Sequence, residues 1–323
     1  MNAAAALGIP YESFFHLGNI GGTPIQWFGV IVACGVLIGA SLLRRYGEWH
    51  GIVEDDIRSL GGWIMATGFL GAHLFDCFAY QWKDVQEDPL IIIQIWKGIS
   101  SYGGFIGGAM GFAFFVWWKR HPPRLFADTA IVGLLPAFSI GRIGCTLVSD
   151  HIGAAVDTSK WYAPFAIDYP RNLNMDAIHN LVVAHPGPGE FIRAWNLGLI
   201  ELMYLVPVNA VILWLAFRPK QRLNAGFLIV LTGVLYAPVR FFLDFLRPEE
   251  SDPRYSGLTF AQWASFLAFG AAVYVAIRIF KNGAPAEIIA PTSGEAQRAL
   301  QQDYEKAKDE ASKASSSASS KKK

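Results

Sequence analysis

Apolar residues in this chain fall into blocks of about 20, each long enough to cross a hydrocarbon layer about 30 Å thick. Between the blocks lie short stretches that collect charge and proline. The pattern predicts seven spans, over 25–43, 60–80, 101–118, 125–148, 197–217, 226–246 and 258–280. Residues 1–24 are too short and too broken by glycine to cross, so they are expected to form an external N-terminal arm lying on the bundle. Pro89–Trp96 is also too short, and reads as an interfacial segment with Trp96 in the aromatic belt. The long connection of about 149–195 holds Pro164, Pro170 and Pro186-Gly187-Pro188-Gly189. It predicts a small external cap in which Trp161–Ile167 can be a strand. Beyond Asn282 the character changes. Gln297–Ala314 reads as a charged helix and Ser315–Lys323 is low-complexity Ser and Lys, so 281–323 is expected to be a cytoplasmic, largely disordered tail, weakly drawn to anionic lipid.

Composition sharpens this picture. At 53% hydrophobic and 14% aromatic, with a mean hydropathy of +0.30, the chain is too apolar for a soluble protein of its size. The predicted fold class is an all-α polytopic membrane protein of about seven transmembrane helices, with the cap and the arm outside. Net charge of +1 says nothing for or against nucleic acid, but no basic stripe with interleaved aromatics is present, so no nucleic-acid partner is expected. Cys34, Cys77 and Cys145 all fall inside predicted spans, which argues against a disulfide framework. The start, Met1-Asn2-Ala3-Ala4-Ala5-Ala6, lacks the basic n-region and long h-region of a removable signal peptide. Loops after the first, third and fifth spans carry Arg44, Arg45 and Arg58; Lys119, Arg120 and Arg124; Arg218, Lys220 and Arg222. The first 24 residues have no Lys or Arg, which places the N-terminus outside and the C-terminus in the cytoplasm.

Polar residues inside the spans are the candidates for chemistry, because a bilayer makes them costly. They are His73, Asp76, Asp128, Arg142, Glu201, Arg240 and Asp244, with Arg247 near a membrane edge. Arg142 stands between Gly141 and Gly144, and a guanidinium is well shaped for two-point capture of phosphate. Snorkelling, or pairing with a carboxylate only to hold helices together, is the competing reading. Arg240, Asp244 and Arg247 share one helical face, since their spacings are four and three. Asp244 can therefore hold one guanidinium while the other points elsewhere, or the three can form a purely structural ladder. His73 and Asp76 are assigned to helix packing, and Asp128 is a candidate helix cap. Glycines 103, 104, 107, 108 and 111 form one small-residue stripe, suited to close helix packing and also to leaving room for an acyl chain or headgroup.

These pieces together resemble the prolipoprotein diacylglyceryl transferase family. Trp27-Phe28-Gly29, Tyr102-Gly103-Gly104-Phe105-Ile106-Gly107, Gly141-Arg142-Ile143-Gly144 with Gly153, Arg240 through Arg247, and Thr259-Phe260-Ala261-Gln262 follow the order of its motifs over about residues 20–280. The resemblance implies a bacterial inner (plasma) membrane enzyme that moves diacylglyceryl from phosphatidylglycerol to the thiol of a prolipoprotein's lipobox cysteine. A thioether forms and glycerol phosphate leaves. Its partners would be phosphatidylglycerol, the prolipoprotein signal peptide and membrane lipid, with no cofactor and no metal. The resemblance carries Arg142, Arg240, Asp150 and Tyr102 onto this chain as a catalytic set, to which the residues themselves add His151 beside Asp150. It gives a substrate-binding set of Gly103, Gly104, Gly141, Gly144, Gly153, Glu201, Asp244, Arg247 and Gln262. There are departures. Tyr102 stands where the family has His, Phe28 where it has Tyr, Cys145 where it has Asn, and Asp150 where it has Glu. His151 is an addition, and of the family's His-Pro-Ser-Gln-Leu-Tyr-Glu segment only Leu199 and Glu201 survive. His151, or the Asp150–His151 pair, is expected to supply the missing base. A non-catalytic paralogue that binds phospholipid or lipoprotein is the alternative. A channel or transporter is disfavoured by the lack of an internal repeat.

Overall fold

In the computed structural model of the chain, the described residues are 9–10, 16–20, 23–95, 98–173, 175–187, 189–218, 223–248 and 254–282. Trp96 of the expected aromatic belt and the expected tail, including the charged helix over Gln297–Ala314, lie outside them. Seven long helices occupy the seven apolar blocks: α1 Trp27–Trp49, α2 Glu54–Ala79, α4 Ser101–Lys119, α5 Pro123–Val148, α7 Leu197–Ala216, α8 Phe227–Leu243 and α9 Phe260–Asn282. Two short helices, α3 Trp82–Glu87 and α6 Asp176–Ala184, lie between them. Five of the long helices are long and apolar enough to cross a membrane: α1, α5, α7, α8 with its short continuation to Leu246, and α9. Large apolar side chains such as Leu37, Trp214 and Phe266 point outward from these helices into the surroundings, as a lipid-facing surface requires. This is a multi-pass membrane protein.

Local sequence explains where helices start and stop. Glu54, Asp55 and Asp56 fill the first turn of α2, where carboxylates favour the helix dipole. Pro123 opens α5, at the position where a missing N–H costs nothing. Asp128 is not a cap. It lies inside α5 and is buried, because the helix begins five residues earlier at the proline.

The chain forms two compact units. One contains Leu42–Ala130, and its centre is the α2–α4 pair. Here the glycine stripe is packing: a Cβ on Gly107 would collide with the Thr67 carbonyl, and one on Gly103 with the Gly71 carbonyl and the Phe75 side chain. Leu43, Ile57, Leu60, Ile64, Phe115, Val116, Phe126 and Ala130 form the apolar core beside it. His73 is buried, with Nδ1 3.0 Å from the Gly98 carbonyl and Nε2 3.1 Å from those of Ile91 and Ile92. It pins the segment that includes the 3-10 helix Pro89–Ile93 to α2, in keeping with a packing role.

The other unit takes in α1 up to Ser41, Ile131–Arg218 and the chain from Gly226 through α9. Its cap is a four-stranded sheet with the order β1 Ile9–Pro10, β5 Ile167–Pro170, β6 Phe191–Asn196, β4 Ile152–Ala155. β1 runs parallel to β5, and the other pairs are antiparallel. A β2 His16–Ile20 and β3 Thr23–Gln26 hairpin leads into α1. The N-terminal arm thus adds a strand to the cap. The strand expected at Trp161–Ile167 starts later, at Ile167, because Pro164 sits in a 3-10 turn over Ala163–Phe165. Behind the sheet α6 packs Ile178 and Leu181 against Ile167, Tyr169 and Ile192. Asp168 holds Arg193 across β5 and β6 with two bonds of 2.6 and 2.7 Å, which raises the guanidinium's already high pKa. Last come the two-residue strands β7 Arg254–Tyr255 and β8 Leu258–Thr259, which pair just before α9.

Candidate active site

Two roots of the cap set the site. α5 ends with Ser149 in the left-handed region, at φ 52°, and the chain doubles back at once into β4. That reversal returns His151 to Arg142, nine residues earlier. β6 runs straight into α7, and Asn196 at the junction serves both ends: its Oδ1 accepts from Leu199 N–H at 2.9 Å, capping α7. Its Nδ2 donates to the Thr146 carbonyl at 3.2 Å, near the end of α5.

Arg142 is buried where these roots meet. Its Nε is 2.8 Å from Glu201 Oε2 on α7, an ion pair by distance but out of line for a hydrogen bond. The guanidinium lies over the Phe138 ring, 4.8 Å from its centroid, one turn back on α5. Nη1 sits 3.4 Å from Cys145 Sγ and 3.2 Å from His151 Nε2. A guanidinium only donates, so Nε2 must accept. The proton of His151 is then on Nδ1, which donates to Asp150 Oδ1 at 2.5 Å. Glu201 is buried as well, and its second oxygen accepts from the Tyr236 hydroxyl on α8.

A second cluster lies further along α8. Arg240 Nη1 donates to Asp244 Oδ1 at 2.7 Å, and Arg247 Nε is 3.1 Å from the same oxygen. The Thr259 hydroxyl donates to Oδ2. Thr259 and Gln262 form a capping box at the start of α9: Gln262 N–H donates to Thr259 Oγ1 at 3.2 Å, and Thr259 N–H to Gln262 Oε1 at 2.9 Å. Two guanidiniums share one buried carboxylate. Tyr236, Arg240 and Asp244 follow one another at intervals of four on α8, so one helical face joins both clusters. Arg142 is thus linked through Glu201 and Tyr236 to the face that carries Arg240 one turn later, and two guanidiniums so placed repel. An anion shared between them would relieve that repulsion.

The family model described as prolipoprotein diacylglyceryl transferase matches residues 15–278. This chain belongs to that family. Relatives carrying the name phosphatidylglycerol--prolipoprotein diacylglyceryl transferase include one from Thermosynechococcus vestitus, 26% identical over 269 residues that cover 83% of this chain and 93% of the relative. A Lactobacillus delbrueckii subsp. bulgaricus relative is 29% identical over 237 residues, 72% of this chain and 78% of its own. The Enterococcus faecalis relative is 27% identical over 263 residues, 79% and 87% of the two chains.

Set beside the family, the expected site residues sort into three groups. Arg142, Asp150, His151 and Glu201 form one connected cluster, and Arg240, Asp244 and Arg247 the other. Gly141, beside Arg142, has open space where a Cβ would point, so it fits an approach of substrate. The remaining positions do other work. A Cβ on Gly144 would meet the Phe28 ring, and one on Gly153 the Leu246 carbonyl and the Trp195 Cβ, so both admit close packing. Gln262 is fully buried and spends its amide on the capping box and the Phe241 carbonyl. Tyr102, Gly103 and Gly104 belong to the other unit, at the start of α4. Gly103 lies against the Gly71 carbonyl and the Phe75 Cβ of α2, and the Tyr102 ring centroid is 6.2 Å from that of Phe75. Tyr236, Thr259 and Phe138 were missed. Tyr236 and Phe138 each precede an expected arginine by four residues, the same spacing that picked out Asp244.

Proposed function

We propose that this chain transfers diacylglyceryl from phosphatidylglycerol to the lipobox cysteine thiol of prolipoproteins, in a bacterial inner membrane that it crosses seven times, N-terminus outside and C-terminus in the cytoplasm. The cap and arm form one external region over a catalytic helical domain of about 25–280. The observation that carries the reading is the buried Arg142, held from α7 by Glu201, which Tyr236 ties to the α8 face carrying Arg240, in a chain of this family.

In the reaction the acceptor sulfur attacks the glycerol carbon that bears the phosphate ester. The C–S bond forms, the C–O bond breaks, and the electron pair leaves on glycerol phosphate. Arg142 and Arg240 take up the charge gathering on the departing phosphate. Asp244, with Arg247 and Thr259, orients Arg240; Glu201 and Tyr236 orient Arg142. Gly141 leaves room beside the guanidinium, and Gly104 and Tyr102 on α4 are kept as lipid contacts. The thiol proton goes to His151 Nε2. In the free protein that atom accepts from Arg142, so a phosphate that draws Arg142 away also frees the base. Asp150 then steadies the imidazolium through Nδ1.

Purified protein given radiolabelled phosphatidylglycerol and a lipobox peptide tests the reading. Label in the peptide, lost with Arg142→Ala, is the expected result. Phosphatidylglycerol binding without transfer would overturn it in favour of the non-catalytic paralogue, which the individual carboxylate partners of the two arginines favour.

A further inference from the structure

The turn after α5 gathers a second kind of chemistry. Cys145 Sγ, a carboxylate oxygen of Asp150 and a ring nitrogen of His151 all lie within 4.8 Å of one another. They come from seven consecutive residues. Arg142 Nη1 already lies between two of them, 3.4 Å from the sulfur and 3.2 Å from Nε2. The protein has thus built a place for positive charge and filled it with a guanidinium. Asp150 accepts from Nδ1 and so presents the Nε2 lone pair to that place. To join the sulfur and Nε2 around a cation, the Asp150 carboxylate gives up its Nδ1 bond and turns toward them, which its exposure allows.

We propose that Cys145, His151 and Asp150 form an inhibitory site for a soft divalent cation, zinc in particular. A thiolate with an imidazole and a carboxylate suits zinc or cobalt, and suits magnesium or calcium poorly. Three protein ligands leave the fourth position open, for water or an anion. Half-exposed Asp150 and partly exposed His151 provide the entry path, while Cys145 lies buried behind them. The bound cation displaces Nη1, and Arg142 keeps its Glu201 contact. Zinc also takes the Nε2 lone pair, so the base and the phosphate-binding guanidinium are lost in one event. This part of the proposal rests on the transferase reading; the binding site itself does not.

Cobalt reports the site directly, because a thiolate bound to Co²⁺ gives a near-ultraviolet charge-transfer band. Full-length protein in detergent is titrated with cobalt chloride, alongside Cys145→Ser, Cys34→Ser and Cys77→Ser. Cys77 is the essential control, since its sulfur is 3.5 Å from His73 Nε2 and makes the other thiol–imidazole contact among the described residues. The expected result is one band per chain, bleached by zinc but not magnesium, absent from Cys145→Ser and intact in the other two variants. In the transfer assay zinc is expected to inhibit reversibly on chelation, and Cys145→Ser to need at least about tenfold more zinc. No cobalt band, or a band that survives Cys145→Ser, overturns the proposal. So does zinc inhibition of equal potency in Cys145→Ser. A cobalt result stands even if transfer fails, so the two readings fall separately.

Discussion

Between α2 and α4 the contact is backbone on backbone, with Gly71, Gly103 and Gly107 leaving no room for a side chain. Between α5, α7 and α8 it is an ion pair extended by a hydrogen bond, with Arg142, Glu201 and Tyr236 joined in a line. Both arrangements hold helices together where apolar surface alone cannot, because lipid is as apolar as leucine. They differ in what they leave available. A glycine contact is finished once the helices meet. A buried ion pair can exchange one partner for an incoming anion, so the second group can both hold and react.

The largest break in that comparison is expected from Arg142→Ala. On the proposed function it removes the guanidinium that meets the departing phosphate, and it leaves Glu201 buried without its cation. Transfer should fall by about a hundredfold to a thousandfold. Arg142→Lys should recover little of it, because one ammonium cannot face Glu201, His151 and a phosphate in one plane. Label transferred from phosphatidylglycerol to peptide measures the effect. Thermal unfolding in detergent shows whether the helices stay packed.

On the glycine side the loss should be in stability. Gly107→Val adds bulk against the Thr67 carbonyl and the Gly71 backbone, and overpacking of this kind costs about 1–3 kcal/mol. Gly104→Ala is the companion. Its new methyl would meet the Ala72 Cβ at 3.7 Å, an ordinary contact. The unfolding temperature should drop for the first and hold for the second. Equal drops would mean that the stripe is not read by facing side as described.

The sequence made some of this legible and hid the rest, for reasons that follow from the same contrast. Apolar blocks gave the seven long helices among the described residues, because hydrophobic length is a local property. Arg240 and Asp244 were legible because their contact is one helical turn long. Arg142 with Glu201 was not, since 59 residues and the whole cap separate them; each could be marked as costly in lipid, but not paired. His151 was suggestive only as an addition beside Asp150. Its return to Arg142 depends on a left-handed Ser149, and serine carries no local sign of that conformation, as glycine would. Glycines were the least readable. The same residue type marks open space at Gly141, a ring seat at Gly144 and helix contact at Gly103, and only the neighbours decide.

A smaller effect should come from His151→Gln, which keeps a polar side chain in the turn but not the proton acceptor. Rates should fall about tenfold to a hundredfold, within the range of general-base catalysis. The direction with pH discriminates more sharply. A base works in its neutral form, so the rate of the unaltered protein should rise with pH over about 6 to 8. The glutamine variant should be flat there. If His151→Ala and His151→Gln keep the full rate across that range, the base assignment is wrong, and the turn would retain only its role in holding Arg142.

Thr259 offers the finest test, because it belongs to both kinds of contact. Its hydroxyl donates to Asp244 and accepts from the Gln262 N–H, so one atom serves the arginine cluster and the end of α9. Thr259→Ser keeps both bonds and should behave as the original. Thr259→Val keeps the shape and loses both, with about 1 kcal/mol of cap stability at stake. If the hydroxyl only caps α9, the unfolding temperature should fall while transfer per folded molecule stays constant. If it also aims Asp244, and through it Arg240, transfer should fall a further few-fold after that correction. The second outcome is expected, since Asp244 has no exposed side-chain surface and must take its orientation from the groups that touch it. In that case a helix cap sets the position of a charge one helix away, which a glycine contact has no means to do.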